Sequence, residues 1–253
     1  MKHCHQISST AWKEITTNWT AAKITIPRKI LTGSKSTPTF EIHVFTDSSK
    51  SGYCAVVYLI EITSKRTSTL LIFKIRLSPL KSTLTIPRPE LSTIALGAKL
   101  LKHICLNVDI TIEQIFIWSD SNVALTWTKS KNSLPLFIRK RIKSIKENAA
   151  DAILRFVPGD SNPADVGSRG LAIQNLILYD AWWTGADFLL QTHAHSWPTD
   201  ISSKNVSSEN DQINCHAKRT HRCNQLHNFY FSQNGSAAGN DYSVWFFIFF
   251  CSW

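Results

Sequence analysis

From Phe40 onward, runs of β-branched and aromatic residues alternate with short turn signals. FEIHVFT and YCAVVYLI are separated by DSSKSG, whose Asp, Ser and Gly suit a hairpin. TLLIFKIRL follows after the turn at Ser64, Lys65 and Arg66. Three strands joined by short turns predict an antiparallel meander. After Pro87-Arg88-Pro89 the period becomes helical, with apolar residues at Leu91, Ile94, Ala95, Ala98, Leu101 and Ile104–Cys105. Pro89 suits a first helical turn, where its missing N–H costs nothing. QIFIWSD predicts a buried fourth strand and SNVALTWTKS a short helix. PLFIRKRIKSIKENAA predicts another helix, with Phe137, Ile138, Ile142 and Ile145 on one side. AILRFVP reads as a fifth strand, and PADVGSRGL starts a last helical segment. The order βββ-α-β-α-α-β-α requires crossovers that lay the later strands parallel to one already in the sheet. The expected fold class is therefore α/β: a mixed five-stranded sheet, three antiparallel strands then two parallel, with helices on both faces. Trp118 and Trp127 fall at apolar positions and are expected in the core.

Residues outside this pattern divide the chain. The Ser/Thr/Gly/Pro-rich stretch LTGSKSTPT reads as a linker, so residues 1–39 are expected to precede a domain spanning 40–175. Residues 176–195 read as an aromatic linker. Residues 196–253 lose period, gain Ser, Asn, His and Gln, and are expected to be a low-order tail, truncated or artefactual. The apolar ending VWFFIFFCSW is ten residues long, and a membrane-spanning helix needs roughly twenty. MKHCHQISSTAWKEI lacks the apolar run of a secretory signal. No membrane association and an intracellular setting are the expectation. Cys54 and Cys105 sit in apolar runs and are expected to be reduced core residues. Cys215, His216, His221 and Cys223 are zinc-ligand types without paired spacing, and are not counted as a site.

Charge narrows the choice of partner. The net charge is +10 and the pI about 9.4, which favours a nucleic acid first and an anionic membrane surface second. Six Lys or Arg and no acid lie between Lys131 and Lys146. Arg139, Lys140, Arg141, Lys143 and Lys146 on the basic helix are candidates for tracking phosphates, against the plainer reading of a solvated helix face.

Against that positive background stand four carboxylates in distinct settings. Asp47 ends HVFTD, Glu90 follows Pro89, Asp120 ends IFIWSD, and Asp165 opens the helix after SNPA. Hard divalent cations take oxygen ligands. Two Mg²⁺ or Mn²⁺ ions roughly 3.5–4 Å apart both activate water and neutralise a phosphodiester under attack. If the first and fourth strands are parallel neighbours, Asp47 and Asp120 end side by side, and Glu90 can reach the same edge. Each acid alone has an ordinary alternative. Asp120 suits a helix N-cap, and Glu90 and Asp165 suit first helical turns favoured by the dipole. Ser48, Ser49 and Asn122 flank the acids and are candidates for hydrogen bonds to a nucleic-acid backbone, or for turn and cap roles. Neither a nucleophile elbow nor a Gly-rich phosphate loop is present.

In order along the chain, FTDSSKSGYCAVVYL, LTIPRPEL, IWSDSNVALTW, FVPGDSNPADVGSRG and AWWTGADFL resemble the ribonuclease H-like domain of BEL/Pao retrotransposon polyproteins, over about residues 10–190. AWKEITTNWTAAKITIPRKI resembles the connection from reverse transcriptase, and the WW segment the stretch leading towards integrase. The resemblance implies an RNase H fold and cleavage of the RNA strand of an RNA–DNA hybrid. It also implies association with reverse transcriptase and integrase regions of a parent polyprotein, in a cytoplasmic retrotransposon particle or the nucleus. It assigns the metal-binding acids to Asp47, Glu90, Asp120 and Asp165. Asp47 would bridge both ions, Glu90 and Asp120 would hold the ion near the leaving oxygen, and Asp165 would complete the ion that activates water. The loop VPGDSNP carries no histidine where many cellular ribonucleases H have one, which implies slower turnover. A second reading keeps the fold as a catalytically silent nucleic-acid-binding remnant. A third is a transposase or resolvase core that cuts DNA.

Overall fold

The computed structural model describes residues 24–27, 38–78, 87–108, 110–191, 197–198 and 241–244. The meander is present as β1 (Thr39–Ser48), β2 (Gly52–Ile62) and β3 (Arg66–Leu77). Helix α1 (Pro87–Asn107) leads to β4 (Ile112–Ser119). Helices α2 (Asn122–Lys129) and α3 (Leu136–Asn148) lead to β5 (Ile153–Phe156). Three short helices follow: α4 (Ala164–Arg169), α5 (Ile173–Ile177) and α6 (Asp180–Thr184). The strand order is β3-β2-β1-β4-β5. β1–β2 and β2–β3 are antiparallel, while β1–β4 and β4–β5 are parallel. This is the expected mixed sheet. Ile24–Pro27 and Asp241–Val244 form a separate antiparallel pair.

β1 and β2 are buried along almost their whole length, as strands covered on both faces must be. On one face α1 contributes Leu91, Ile94, Ala95, Ala98, Leu101 and Ile104, and α3 contributes Ile138 and Ile145; they pack on Ile42, Val44, Val57 and Ile117. At Gly97 of α1 an added Cβ would stand 2.9 Å from side-chain carbons of Val44 and Thr46. The missing side chain lets α1 lie close to the end of β1 that carries Asp47. The other face holds Phe45, Val56, Tyr58, Ile60 and Trp118. Trp118 is fully buried, and Trp127 is half-buried against the first core.

Two expectations change. Cys105 is exposed, while Cys54 is buried. Cys105 keeps the helical register of Ala98 and Leu101, but it lies in the last turn of α1, where residues 105–107 are all exposed. Residues 176–195, read as a linker, supply Leu176, Trp182, Ala186, Phe188 and Leu189 to the second core, joined by Trp197. The Tyr58 hydroxyl donates to the Trp182 carbonyl at 2.9 Å, tying this stretch to β2. The zinc-ligand residue types at 215–223 and most of the 196–253 tail lie outside the described residues. Among the described residues, no helix is long and apolar enough to cross a membrane.

α4 is seated through Gly167. A Cβ there would overlap the Cys54 sulfur and come within 3.2 Å of the Trp182 ring. Gly167→Ala is expected to destabilise the protein by about 1–3 kcal/mol through overpacking. Combining it with Cys54→Ala should recover part of that loss. Chemical denaturation of the two single variants and the double variant checks this, and simple additivity would contradict the contact.

Candidate metal centre

Parallel pairing runs from Phe40↔Ile112 to Thr46↔Ser119, so the next residues, Asp47 and Asp120, leave adjacent strands together. α1 starts at the same edge and delivers Glu90 from its first turn. One oxygen from each of Asp47, Glu90 and Asp120 lies within 4.8 Å of the others. Asp47 is 2% exposed and Glu90 5%, while Asp120 is half-buried.

The ordinary local role of one acid is taken by another group, and a second acid is buried beyond what its local role requires. The N-cap of α2 is Ser121, whose hydroxyl accepts from the Ala124 N–H at 3.3 Å, so Asp120 is not spent on capping. Glu90 is in a first turn, yet it is buried, and its Oε2 has no hydrogen-bond partner. Asp165 does behave as a first-turn acid. It lies outside the trio, its side chain is 35% exposed, and its Oδ1 pairs with Arg169 Nε at 2.5 Å.

Three groups fix the trio's surroundings. Ser168, buried at the end of α4, donates its hydroxyl to Asp47 Oδ2. Ser48 donates to Glu90 Oε1 at 2.6 Å. Asn162 donates to the Thr46 carbonyl at 3.0 Å and accepts from the Ala164 N–H, tying the loop before α4 to the end of β1. In the same loop, a Cβ at Gly159 would lie 3.6 Å from Asp120 Oδ2. Ser168, Asn162 and Arg169 were not singled out from the sequence. Arg169 had a local signal, an acid four residues before an arginine on one helix. Ser168 and Asp47 are 121 residues apart, and nothing local joins them.

Burial dominates the electrostatics. It pushes the Glu90 carboxyl up to about 8; the Ser48 hydroxyl opposes this, and the charges of Asp120 and Asp47 add to it. Asp120 is pushed up to about 6 by burial and then by Asp47. Asp47 is raised by burial and by Asp165, with the Ser168 hydroxyl opposing. Among the described residues, no ion pair neutralises any of these three acids. An all-oxygen set, crowded and unneutralised, with a buried oxygen left over on Glu90, fits a hard divalent cation.

The other candidate residues are dispersed. Ser48 is engaged by Glu90, and Ser49 donates to the Ser168 carbonyl at 2.6 Å while accepting from the Ser51 and Gly52 N–H groups. Both serve the protein's own framework. Asn122 is exposed beside Asp120 at the start of α2. On α3, Arg139, Lys140, Lys143 and Lys146 are exposed. Arg141 is half-buried, 4.6 Å over the Phe137 ring, with Nε donating to Ser92 at 3.3 Å. An open hollow of about 430 Å³ is lined by Arg139, Lys143, Lys146 and Glu147 together with Ser130 and Asn132.

A mixed sheet in this strand order and direction has the RNase H-like fold, with the acids converging at the β1–β4 edge. Residues 2–121 match the family model of the Pao retrotransposon-like RNaseH-like domain. The resemblance drawn from the sequence therefore holds over the stretch carrying Asp47, Glu90 and Asp120; Asp165 lies beyond it. A comparison with curated proteins returns no match. Among solved structures, RNase H1 from the halophilic archaeon Halobacterium salinarum NRC-1 is 15% identical, covering 56% of this chain and 99% of its own, with a TM-score of 0.35. The N-terminal RNase H domain of rv2228c from Mycobacterium tuberculosis is 13% identical, covering 53% and 99%, with a TM-score of 0.35. LC11-RNase H1, solved in complex with an RNA/DNA hybrid, is 12% identical, covering 51% and 92%, with a TM-score of 0.30. These likenesses are distant, and the fold assignment rests on strand order and direction.

Proposed function

We propose that this protein is a metal-dependent endonuclease that hydrolyses the RNA strand of RNA–DNA hybrids during retrotransposon reverse transcription. The observation that carries this reading is the trio of two buried carboxylates and one half-buried, with no ion-pair partner among the described residues and a free oxygen on Glu90. Asp47, Glu90 and Asp120 would hold one divalent ion, Mg²⁺ or Mn²⁺, and Asp165 would help hold a second. Bound ions would supply a nucleophilic water at neutral pH and neutralise charge on the phosphate and leaving oxygen. The chain's own residues set the frame: Ser168 orients Asp47, Ser48 orients Glu90, and Asn162 holds the intervening loop. The exposed bases of α3 would follow the phosphate backbone, a contact that reads shape more than sequence. In this reading the domain works within a polyprotein that also carries reverse transcriptase and integrase regions.

A second reading, a silent hybrid-binding remnant, draws support from Asp165, which pairs with Arg169 outside the trio. Incubating the full chain with strand-labelled RNA–DNA hybrid and Mg²⁺ or Mn²⁺, beside an Asp120→Asn variant, separates the readings. RNA-strand cleavage that needs the ion and disappears in Asp120→Asn is expected. Binding without cleavage would establish the remnant, and cutting of DNA alone would establish a transposase or resolvase core.

A further inference from the structure

The acid that stands apart from the trio is held on its own helix. Asp165 and Arg169 are one turn apart on α4, with the acid N-terminal, the favourable order for such a pair. Arg169 is the last residue of α4, where a cation is favoured by the helix dipole. Its side chain is 67% exposed, and its positive charge is felt at Asp47 and Asp120 as well as at Asp165. Two contacts seat the helix itself. Gly167 is packed without clearance against Cys54, and Ser168 bonds Asp47. The exposed guanidinium can swing into solvent while α4 stays seated.

We propose that Arg169 is a built-in counter-ion that competes with a second divalent cation for Asp165, so that one ion binds readily at Asp47, Glu90 and Asp120 and the second binds only by displacing the guanidinium. This rests on the reading of the trio as a metal centre. Exposed ion pairs are weak and easily exchanged, and a hard divalent ion prefers carboxylate oxygen. Arginine stays charged at any physiological pH, so ion concentration, not proton concentration, sets the exchange. Arg169 is a positioning residue in this scheme, acting on the ion through Asp165.

The test is calorimetric titration of Mn²⁺ into the metal-free full chain, comparing wild type, Arg169→Gln, Asp165→Asn and the double variant. Wild type should show a tighter and a weaker event. Arg169→Gln should strengthen the weaker event about fivefold, the scale of one lost surface ion pair, and change the tighter one much less. Asp165→Asn should abolish the weaker event in both backgrounds. Because Arg169 is exposed, its replacement should leave the melting temperature of the metal-free protein close to wild type. If the weaker event is unchanged or weakened in Arg169→Gln, the inference is wrong. A single event in every protein would also overturn it while leaving the metal centre intact. No Mn²⁺ binding in wild type would overturn the metal centre itself.

Discussion

Asp47→Asn is expected to abolish divalent-ion binding and hybrid cleavage while raising the melting temperature of the metal-free protein. Asp47 sits at the end of the most central strand, 2% exposed, with Oδ2 taken by the Ser168 hydroxyl. An asparagine keeps the shape and satisfies Ser168 through its amide oxygen. It then presents an NH₂ donor where an ion requires a lone pair. Loss of a supporting outer contact alone costs a metal site roughly 10–100-fold, so loss of a central ligand should exceed that range. The stability effect has the opposite sign. Asp47 is itself penalised by burial, and its charge raises both Glu90 and Asp120. Removing that charge relieves repulsion in a crowded, low-dielectric site. Manganese titration, hybrid cleavage and thermal melting in chelator are the three measurements. A variant that lost activity and also melted lower would show that Asp47 matters chiefly for folding, and the proposed role would fail.

The elements that bring Asp47, Glu90 and Asp120 together were readable because they are long and regular. β1, β2 and β4 are rich in β-branched and aromatic residues, and α1 repeats apolar residues at helical spacing, so their order implied which strands lie side by side. Asp47 and Asp120 were marked by closing such runs, one residue past Thr46 and Ser119, and Glu90 by following Pro89 at the start of the helix. Legibility falls where packing overrides local pattern. α5 and α6 are five residues each, too short to display a period. Trp182 and Phe188 therefore looked like a linker, and Trp197 like the start of a low-order tail, although all three close the second core. The placing of Asp165 depended on a competition that spacing alone leaves open: the same carboxylate can join an ion site or pair with Arg169. Ser168 was invisible for a different reason. A serine in a short helix carries no mark of the aspartate it meets across the fold.

In the absence of metal, the protein is expected to lose stability as the pH rises from about 6.5 to about 8. Glu90 is raised from an ordinary 4.5 to about 8 and Asp120 from 3.8 to about 6, in each case mainly by burial. For a carboxyl whose folded pKa lies above its unfolded one, the stabilising contribution is complete below the unfolded value. It disappears as the pH passes the folded value. For Glu90, 5% exposed, the effect is on the order of a few kcal/mol, since each unit corresponds to about 1.4 kcal/mol. His43 acts in the other direction. Its burial lowers its pKa, so its contribution is present above the ordinary histidine range and is lost as the pH falls below about 6.5. Between about pH 6.5 and 8 the fall therefore belongs to the trio; above that range the buried Cys54 thiol, raised by its burial, adds to it. Divalent ions bind the deprotonated carboxylates, so their affinity should climb through the same window with release of protons, and saturating Mg²⁺ should flatten the alkaline fall. Glu90→Gln should remove the portion of the fall near pH 8 and, by deleting a ligand, abolish the rescue by Mg²⁺. Melting curves from pH 5 to 9 in chelator and in excess Mg²⁺ decide the matter. A metal-free protein that grew more stable between about pH 6.5 and 8 would mean that Glu90 and Asp120 are ionised without penalty. In that case the crowding at the β1–β4 edge would no longer argue for a cation.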